Sequence, residues 1–127
     1  MNILDENVAR DQSDLLKHWG IRFRSISREL GYQGIGDDEI RPLLLRLKRP
    51  TLLTRDRDFY SASLCHFGYC LAYFDVSLAT AAEFMRRFLR HKLFRTQAQR
   101  LGKVVCINEA GLTYWQVGGK VAQKVEW

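Results

Sequence analysis

Thr51-Leu52-Leu53-Thr54-Arg55-Asp56-Arg57-Asp58-Phe59 is the stretch from which the fold of this chain is read. Four uncharged residues give way at once to alternating bases and acids. That is the pattern of a short strand buried on both faces, whose carboxyl end opens to solvent. Upstream, Asp37-Asp38-Glu39 opens a helix in which acids complement the dipole, with its body over Leu43 to Lys48. Pro42 belongs in the first turn of that helix or bends it. Gly31, Gly34 and Gly36 mark the loop before it. Ile21 to Ile26 alternates, with Ile21, Phe23 and Ser25 against Arg22, Arg24 and Ile26, and predicts a strand. Val8 to Trp19 carries apolar positions at helical spacing and ends at Gly20, a C-terminal cap. Asn2-Ile3-Leu4 is another short apolar strand, and it also ends in acids, Asp5-Glu6-Asn7.

Downstream, Tyr69 to Phe74 predicts a further strand, followed by Asp75, which reads as an N-cap for the helix after it. That helix spans Ser77 to Leu93, with an apolar stripe of Leu78, Ala82, Met85, Leu89 and Leu93. Glu83, Arg86, Arg87 and Arg90 fall on its other face. Val104 to Ile107 and Leu112 to Val117 flank Asn108-Glu109-Ala110-Gly111 as a hairpin, and Lys120 to Val125 forms a last strand. Tyr114 and Trp115 read as core or interface, and His66 and His91 carry no partners at ligand spacing. Strand–helix alternation over the first hundred residues predicts an α/β fold, with a mostly parallel sheet and helices on both faces.

The chain has 127 residues, the length of one domain, and a net charge of +6. Its 46% hydrophobic content excludes a disordered chain. No apolar run approaches the ~20 residues of a membrane span, and no signal peptide is visible at Met1 to Asn7. Three cysteines, Cys65, Cys70 and Cys106, without metal-ligand pairing read as reduced thiols, which predicts a cytoplasmic protein. The charge is segregated: Phe84 to Asn108 holds seven bases and no acid, while ten of the fourteen acids lie in the first sixty residues. Such a balance suits a partner that brings both phosphates and bound cations.

Ligands bind beyond the carboxyl ends of strands in sheets of this kind. Asp5 and Glu6 end the first strand, Asp56 and Asp58 follow the third, and Asp37, Asp38 and Glu39 start the helix between. If the first and third strands are neighbours, five or more carboxylates converge on one rim. Like charges held together call for a cation, and Mg²⁺ or Mn²⁺ with oxygen ligands is the natural one. Such ions stabilise the oxygens of a phosphodiester displacement. Arg86, Arg87 and Arg90 are the candidate contacts to a nucleic-acid backbone.

Ile3-Leu4-Asp5-Glu6-Asn7, Asp37-Asp38-Glu39-Ile40 and Leu53-Thr54-Arg55-Asp56-Arg57-Asp58-Phe59, in that order, resemble the motifs of the short prokaryotic PIN-like proteins, toxin-type ribonucleases. The resemblance covers residues 1–76. It implies a PIN-like three-layer α/β/α fold and Mg²⁺- or Mn²⁺-dependent endoribonuclease activity on RNA. It also implies a cognate antitoxin partner. Carried over by the resemblance, Asp5, Asp37, Asp56 and Asp58 are the catalytic, metal-binding acids. Thr54 orients one of them through its hydroxyl, and Asn7, Glu6 and Asp38 support them. Residues 77–127, a basic helix and a C-terminal β-hairpin extension, lie outside the resemblance and are open to RNA binding, a homodimer contact or a partner contact. Two other functions compete. One keeps the PIN-like fold as a catalytically inactive binding module. The other is a receiver-like signalling domain, suggested by the Asp5-to-Asp56 spacing. A receiver needs Ser or Thr ending the fourth strand and Lys ending the fifth, and this sequence offers neither.

Overall fold

In the computed structural model, which describes residues 1–26 and 37–127, the short apolar runs become strands β1 (Asn2–Leu4), β2 (Arg24–Ser25), β3 (Thr51–Thr54) and β4 (Cys70–Phe74). They continue into β5 (Lys103–Asn108), β6 (Gly111–Gln116) and β7 (Gln123–Val125). All seven share one sheet in the order β2-β1-β3-β4-β5-β6-β7. Pairing is parallel from β2 to β5 and antiparallel across β5-β6 and β6-β7. The sheet is therefore mostly parallel, and the C-terminal segment closes it as a hairpin plus one strand. β1 and β3 are neighbours, with Leu4 opposite Leu53.

Successive strand residues point to opposite faces, and both faces are filled. One receives Leu4, Leu53, Ala72, Val105 and Ile107, covered by α1 (Arg10–His18) and α3 (Ala81–Arg90) through Leu16, Met85 and Phe88. The other receives Ile3, Leu52, Leu71 and Val104, covered by Ile40, Leu43 and Leu44 of α2 (Asp37–Arg46) and by Phe59 and Tyr69. A one-turn helix, α4 (Gln97–Arg100), leads into β5 and is closed by a capping box between Thr96 and Gln99.

α1 stops where the sequence says it should. Gly20 adopts φ +75°, its N–H bonds the Lys17 carbonyl, and the Ile21 N–H bonds that of Leu16, the paired bonds of a Schellman cap. The hairpin turn is also built as read: the Asn108 side-chain oxygen accepts from the N–H groups of Ala110 and Gly111. Gly111, at φ +157°, lies where a Cβ would come within 2.7 Å of the Val125 carbonyl oxygen, so β7 packs there only on a glycine.

Three expectations are corrected, and of the two alternatives for Pro42 the first-turn placement is excluded. The strand over Ile21 to Ile26 shrinks to Arg24–Ser25, because among the described residues its partner is the three-residue β1, which offers register at Ile3 and Leu4. Ile21 and Phe23 still reach the core as half-buried side chains. Pro42 lies inside α2, sixth of ten residues, where its missing N–H forfeits one helical bond. The helix expected over Ser77 to Leu93 begins as a 3-10 turn, Leu78–Thr80, and ends at Arg90. That turn rotates Leu78 outward, and the extended His91 ends the helix before Leu93, so these two are 45% and 40% exposed. The buried stripe is instead Ala81, Ala82, Phe84, Met85 and Phe88, with Leu89 half-buried against it. Asp75 does not cap this helix: Ser77 holds the cap position, and the Ala82 N–H is satisfied by the buried Gln12 side chain of α1 at 2.9 Å. The glycine loop at Gly31, Gly34 and Gly36 lies outside the described residues, as do the side chains of Asp37 and Asp38.

Candidate functional site

The chain leaves β1 toward α1 on one face of the sheet and leaves β3 toward Phe59 on the other. Where neighbouring strands send their connections to opposite faces, a crevice opens beyond their carboxyl ends. Asp5 stands at the end of β1, its N–H bonded to the Leu53 carbonyl of β3 at 3.0 Å. It is 7% exposed, a rare environment for a carboxylate.

Thr54, fully buried at the end of β3, is the hub of the site. Its hydroxyl donates to Asp5 Oδ2 at 2.7 Å and accepts from the Asp56 N–H at 3.0 Å and from Asn7 Nδ2 at 3.2 Å. Asn7 straps the two strand ends together, since its Oδ1 accepts from the Arg55 N–H at 3.1 Å. The other Asp5 oxygen accepts from the Glu6 N–H at 2.8 Å. Burial pushes the Asp5 carboxyl above its ordinary value. The bonds from Thr54 and the Glu6 N–H oppose that rise, while the charges of Glu6 and Asp56 add to it. A carboxylate in this setting gains from a positive charge.

The expected acids do not all meet. The Thr54 hydroxyl joins the Asp5 carboxylate to the backbone N–H of Asp56, and the Asp56 charge adds to the rise of the Asp5 pKa. Asp56 Oδ1 accepts from the Asp58 N–H at 2.9 Å and so caps the 3-10 turn Arg57–Phe59. Asp58 and Glu6 are exposed on the lip of the crevice. Among the described residues no group of three or more His, Cys, Asp or Glu is placed to hold a metal ion. The convergence of five or more carboxylates is thus reduced to a linked pair with two acids at its edge; Asp37 and Asp38 fall outside the described side chains. A pair is enough for one kind of metal. Mg²⁺ keeps several waters and takes one or two protein carboxylates, with phosphate oxygens completing the shell. The donor set therefore fits an open site finished by its substrate and does not fit a preformed cage.

Two residues on this rim escaped the sequence. Asp75 follows β4, the neighbour of β3, and raises the pKa of Tyr73 and Cys106 after the larger effect of their burial. The rule that flagged Asp5, an acid directly after a buried strand, flags Asp75 equally; the helix that follows disguised it. Arg55 donates from Nη2 to the Val76 carbonyl at 3.1 Å, tying the β3 and β4 ends, while its buried Nε has no partner.

The basic helix face is elsewhere. The Arg86 guanidinium stacks on Trp19 with 4.3 Å to the ring centre, at the end of α1 remote from the crevice. Arg87 lies 4.3 Å from the Trp127 ring centre and 5.0 Å from that of Phe84. Tyr114 packs against the core, edge-on to Phe94, as expected. His91 is a buried structural residue whose ring bonds the Glu126 carbonyl at 2.9 Å. β5 begins at Lys103 and ends at Asn108, and β4 ends at Phe74, so the two residues a receiver requires are missing from their places. No helix among the described residues is long and apolar enough to cross a membrane. Compared with family models, curated proteins and solved structures, the chain matches none of them.

Proposed function

We propose that the crevice between β1 and β3 cleaves RNA phosphodiester bonds with Mg²⁺ or Mn²⁺, in a PIN-like three-layer fold, and that the chain acts as the toxin of a toxin–antitoxin pair. The observation that carries the cleavage is the buried Asp5 carboxylate, raised in pKa, joined through the Thr54 hydroxyl to Asp56 at the strand-order switch. The PIN-like fold and the toxin role rest on the sequence resemblance. Asp5 and Asp56 would hold the ion, with Asp58, and Asp37 on the resemblance, completing the acidic set. The ion supplies charge stabilisation for the phosphate oxygens. Thr54 fixes the orientation of Asp5, Asn7 keeps the two strand ends in register, Glu6 adds negative potential, and Asp38 has a supporting role on the resemblance alone. A cytoplasmic location accompanies this reading.

The test is incubation of labelled RNA and DNA with and without Mn²⁺, beside Asp56→Asn and Asp5→Asn. RNA cut by the parent in Mn²⁺, and not by either variant, is the expected result. Cutting at full rate in chelator overturns the metal requirement. One observation favours a second reading, a catalytically inactive binding module: both Asp5 oxygens and one of Asp56 are already engaged by the protein's own donors. No cleavage of any nucleic acid by a folded, metal-loaded sample would select it.

A further inference from the structure

A groove with a volume of about 930 Å³ lies between the C-terminal half of α3 and the β7 segment. Arg86, Arg87, Arg90, Lys92, Arg95 and Lys124 line it, against one acid, Glu126. Its β7 wall stands four strand spacings from β3, on the order of 19 Å across the sheet. Six cations in one concavity repel one another unless water or an anion separates them.

Four of these cations, Arg90, Lys92, Arg95 and Lys124, are exposed, and two, Arg86 and Arg87, are held against aromatic rings. The Arg86 and Arg87 guanidinium carbons lie 4.3 Å from the ring centres of Trp19 and Trp127, contacts that restrict both side chains. Trp127 is itself anchored by its indole N–H to the Asn108 carbonyl at 2.8 Å. The buried His91 ring ties the end of α3 to the Glu126 carbonyl. Cations fixed before binding lose little freedom on binding.

We infer that this groove holds the phosphate backbone of a single-stranded nucleic acid, giving the C-terminal extension the task of gripping substrate at a distance from the crevice. This rests on the proposed cleavage of RNA for its choice of polyanion. A strand carries a charge at every nucleotide, matching a line of cations, and guanidinium forks pair with phosphates. An acidic peptide would need apolar pockets for its side chains. The apolar lining here is Leu93, Val125 and Trp127, and Arg87 and His91 already pack on the Trp127 ring.

Binding of an oligouridylate of about 16 nucleotides is measured in chelator, where nothing is cut, from about 50 to about 200 mM salt. The variant is Arg90→Gln/Lys92→Gln/Arg95→Gln/Lys124→Gln, four exposed positions that leave the stacked Arg86 and Arg87 in place. Each phosphate contact adds about 0.7 to the slope of log K against log salt, so four contacts add about 2.8. Over this salt range the parent should lose affinity about 50-fold more than the variant does. An unchanged salt slope overturns the inference and leaves the crevice untouched. Poly-glutamate binding as tightly as the oligonucleotide, or a dimer that dissociates in the variant, also overturns it. Full activity of Asp5→Asn overturns the crevice and leaves the groove.

Discussion

Thr54→Val replaces a hydroxyl by a methyl of nearly the same shape, so the substitution opens no cavity and isolates the hydrogen bonds. Three are lost: the donation to Asp5 Oδ2 and the acceptances from the Asp56 N–H and Asn7 Nδ2. A bond to a charged group contributes about 1.5–3 kcal/mol, and an orphaned backbone N–H costs about 1 kcal/mol. Half-buried Asn7 turns to water at small cost. The expected loss is about 3 kcal/mol, a large share of a small domain's stability. The loss also has a pH signature. Burial raises the Asp5 pKa and the Thr54 bond restrains it, so its removal lets the folded-state pKa climb further. A carboxyl whose folded pKa exceeds its unfolded one costs stability above that pKa, and the cost disappears as pH falls below the unfolded value. Each further unit of rise is ~1.36 kcal/mol. Urea unfolding at about pH 7 and about pH 4 should therefore show the larger deficit at the higher pH. Thr54→Ser, which keeps the hydroxyl, should lose only the methyl contribution of ~1 kcal/mol. A Thr54→Val deficit below ~0.5 kcal/mol, or one of equal size at both pH values, would refute the hub.

Three further outcomes are expected. Millimolar Mn²⁺ or Mg²⁺ should stabilise the parent by about 2.7 kcal/mol at a hundredfold excess over Kd, seen as a higher melting temperature, and stabilise Asp5→Asn less; melts indifferent to both ions would count against the crevice as a metal site. Met85, fully buried beneath α3, should not tolerate Lys, and Met85→Lys should cost several kcal/mol and melt far below the parent; equal melts would sink the placement of this helix. Burial pushes the Cys70 thiol up to about 12, so a thiol reagent at neutral pH should modify half-buried Cys65 and Cys106 in the folded protein and reach Cys70 only on unfolding. Labelling of Cys70 at the rate of the other two would show that β4 is not central.

The parallel core was legible because β1, β3 and β4 are short, mostly apolar and each followed at once by a charged residue, Asp5, Arg55 and Asp75. Leu52-Leu53 and Leu71-Ala72 can be buried on both faces in no simpler way. Adjacency of β1 and β3 was not legible: nothing in the two segments names the other as partner, and the register of Leu4 on Leu53 comes from the folded sheet. The helix after β4 was misjudged at both ends because periodicity counts side chains and not turns. Leu78 keeps the spacing but sits in a 3-10 turn, which advances 120° per residue where an α-helix advances 100°. The acids were legible as a set and illegible as a geometry. Asp5, Asp56 and Asp58 look equivalent in sequence, yet one is buried, one caps a turn with half its carboxylate, and one lies in solvent. Thr54 separates these fates, because a single hydroxyl can serve two backbone ends only if both converge on it.

Charge segregation along the chain becomes segregation across the sheet. The acid-rich first sixty residues build β2, β1 and β3, while the basic segment from Arg86 to Lys103 runs from α3 into β5. Strand order from β3 to β7 follows chain order, so the bases beside β7 lie away from β3, while Arg86 on Trp19 and Arg100 on the Thr51 hydroxyl reach back to the acid-rich half. Among the described residues a polyanion approaching the crevice alone meets four acids, Asp5, Glu6, Asp56 and Asp58, against two bases, Arg55 and Arg57. On the proposed reading the attraction comes from the far side of the same sheet. Binding and chemistry are then separable by mutation: neutralising the groove changes affinity and its salt slope, and neutralising Asp56 removes cleavage while lessening the repulsion. A single mixed patch of acids and bases would not separate in this way, because each substitution there would alter both.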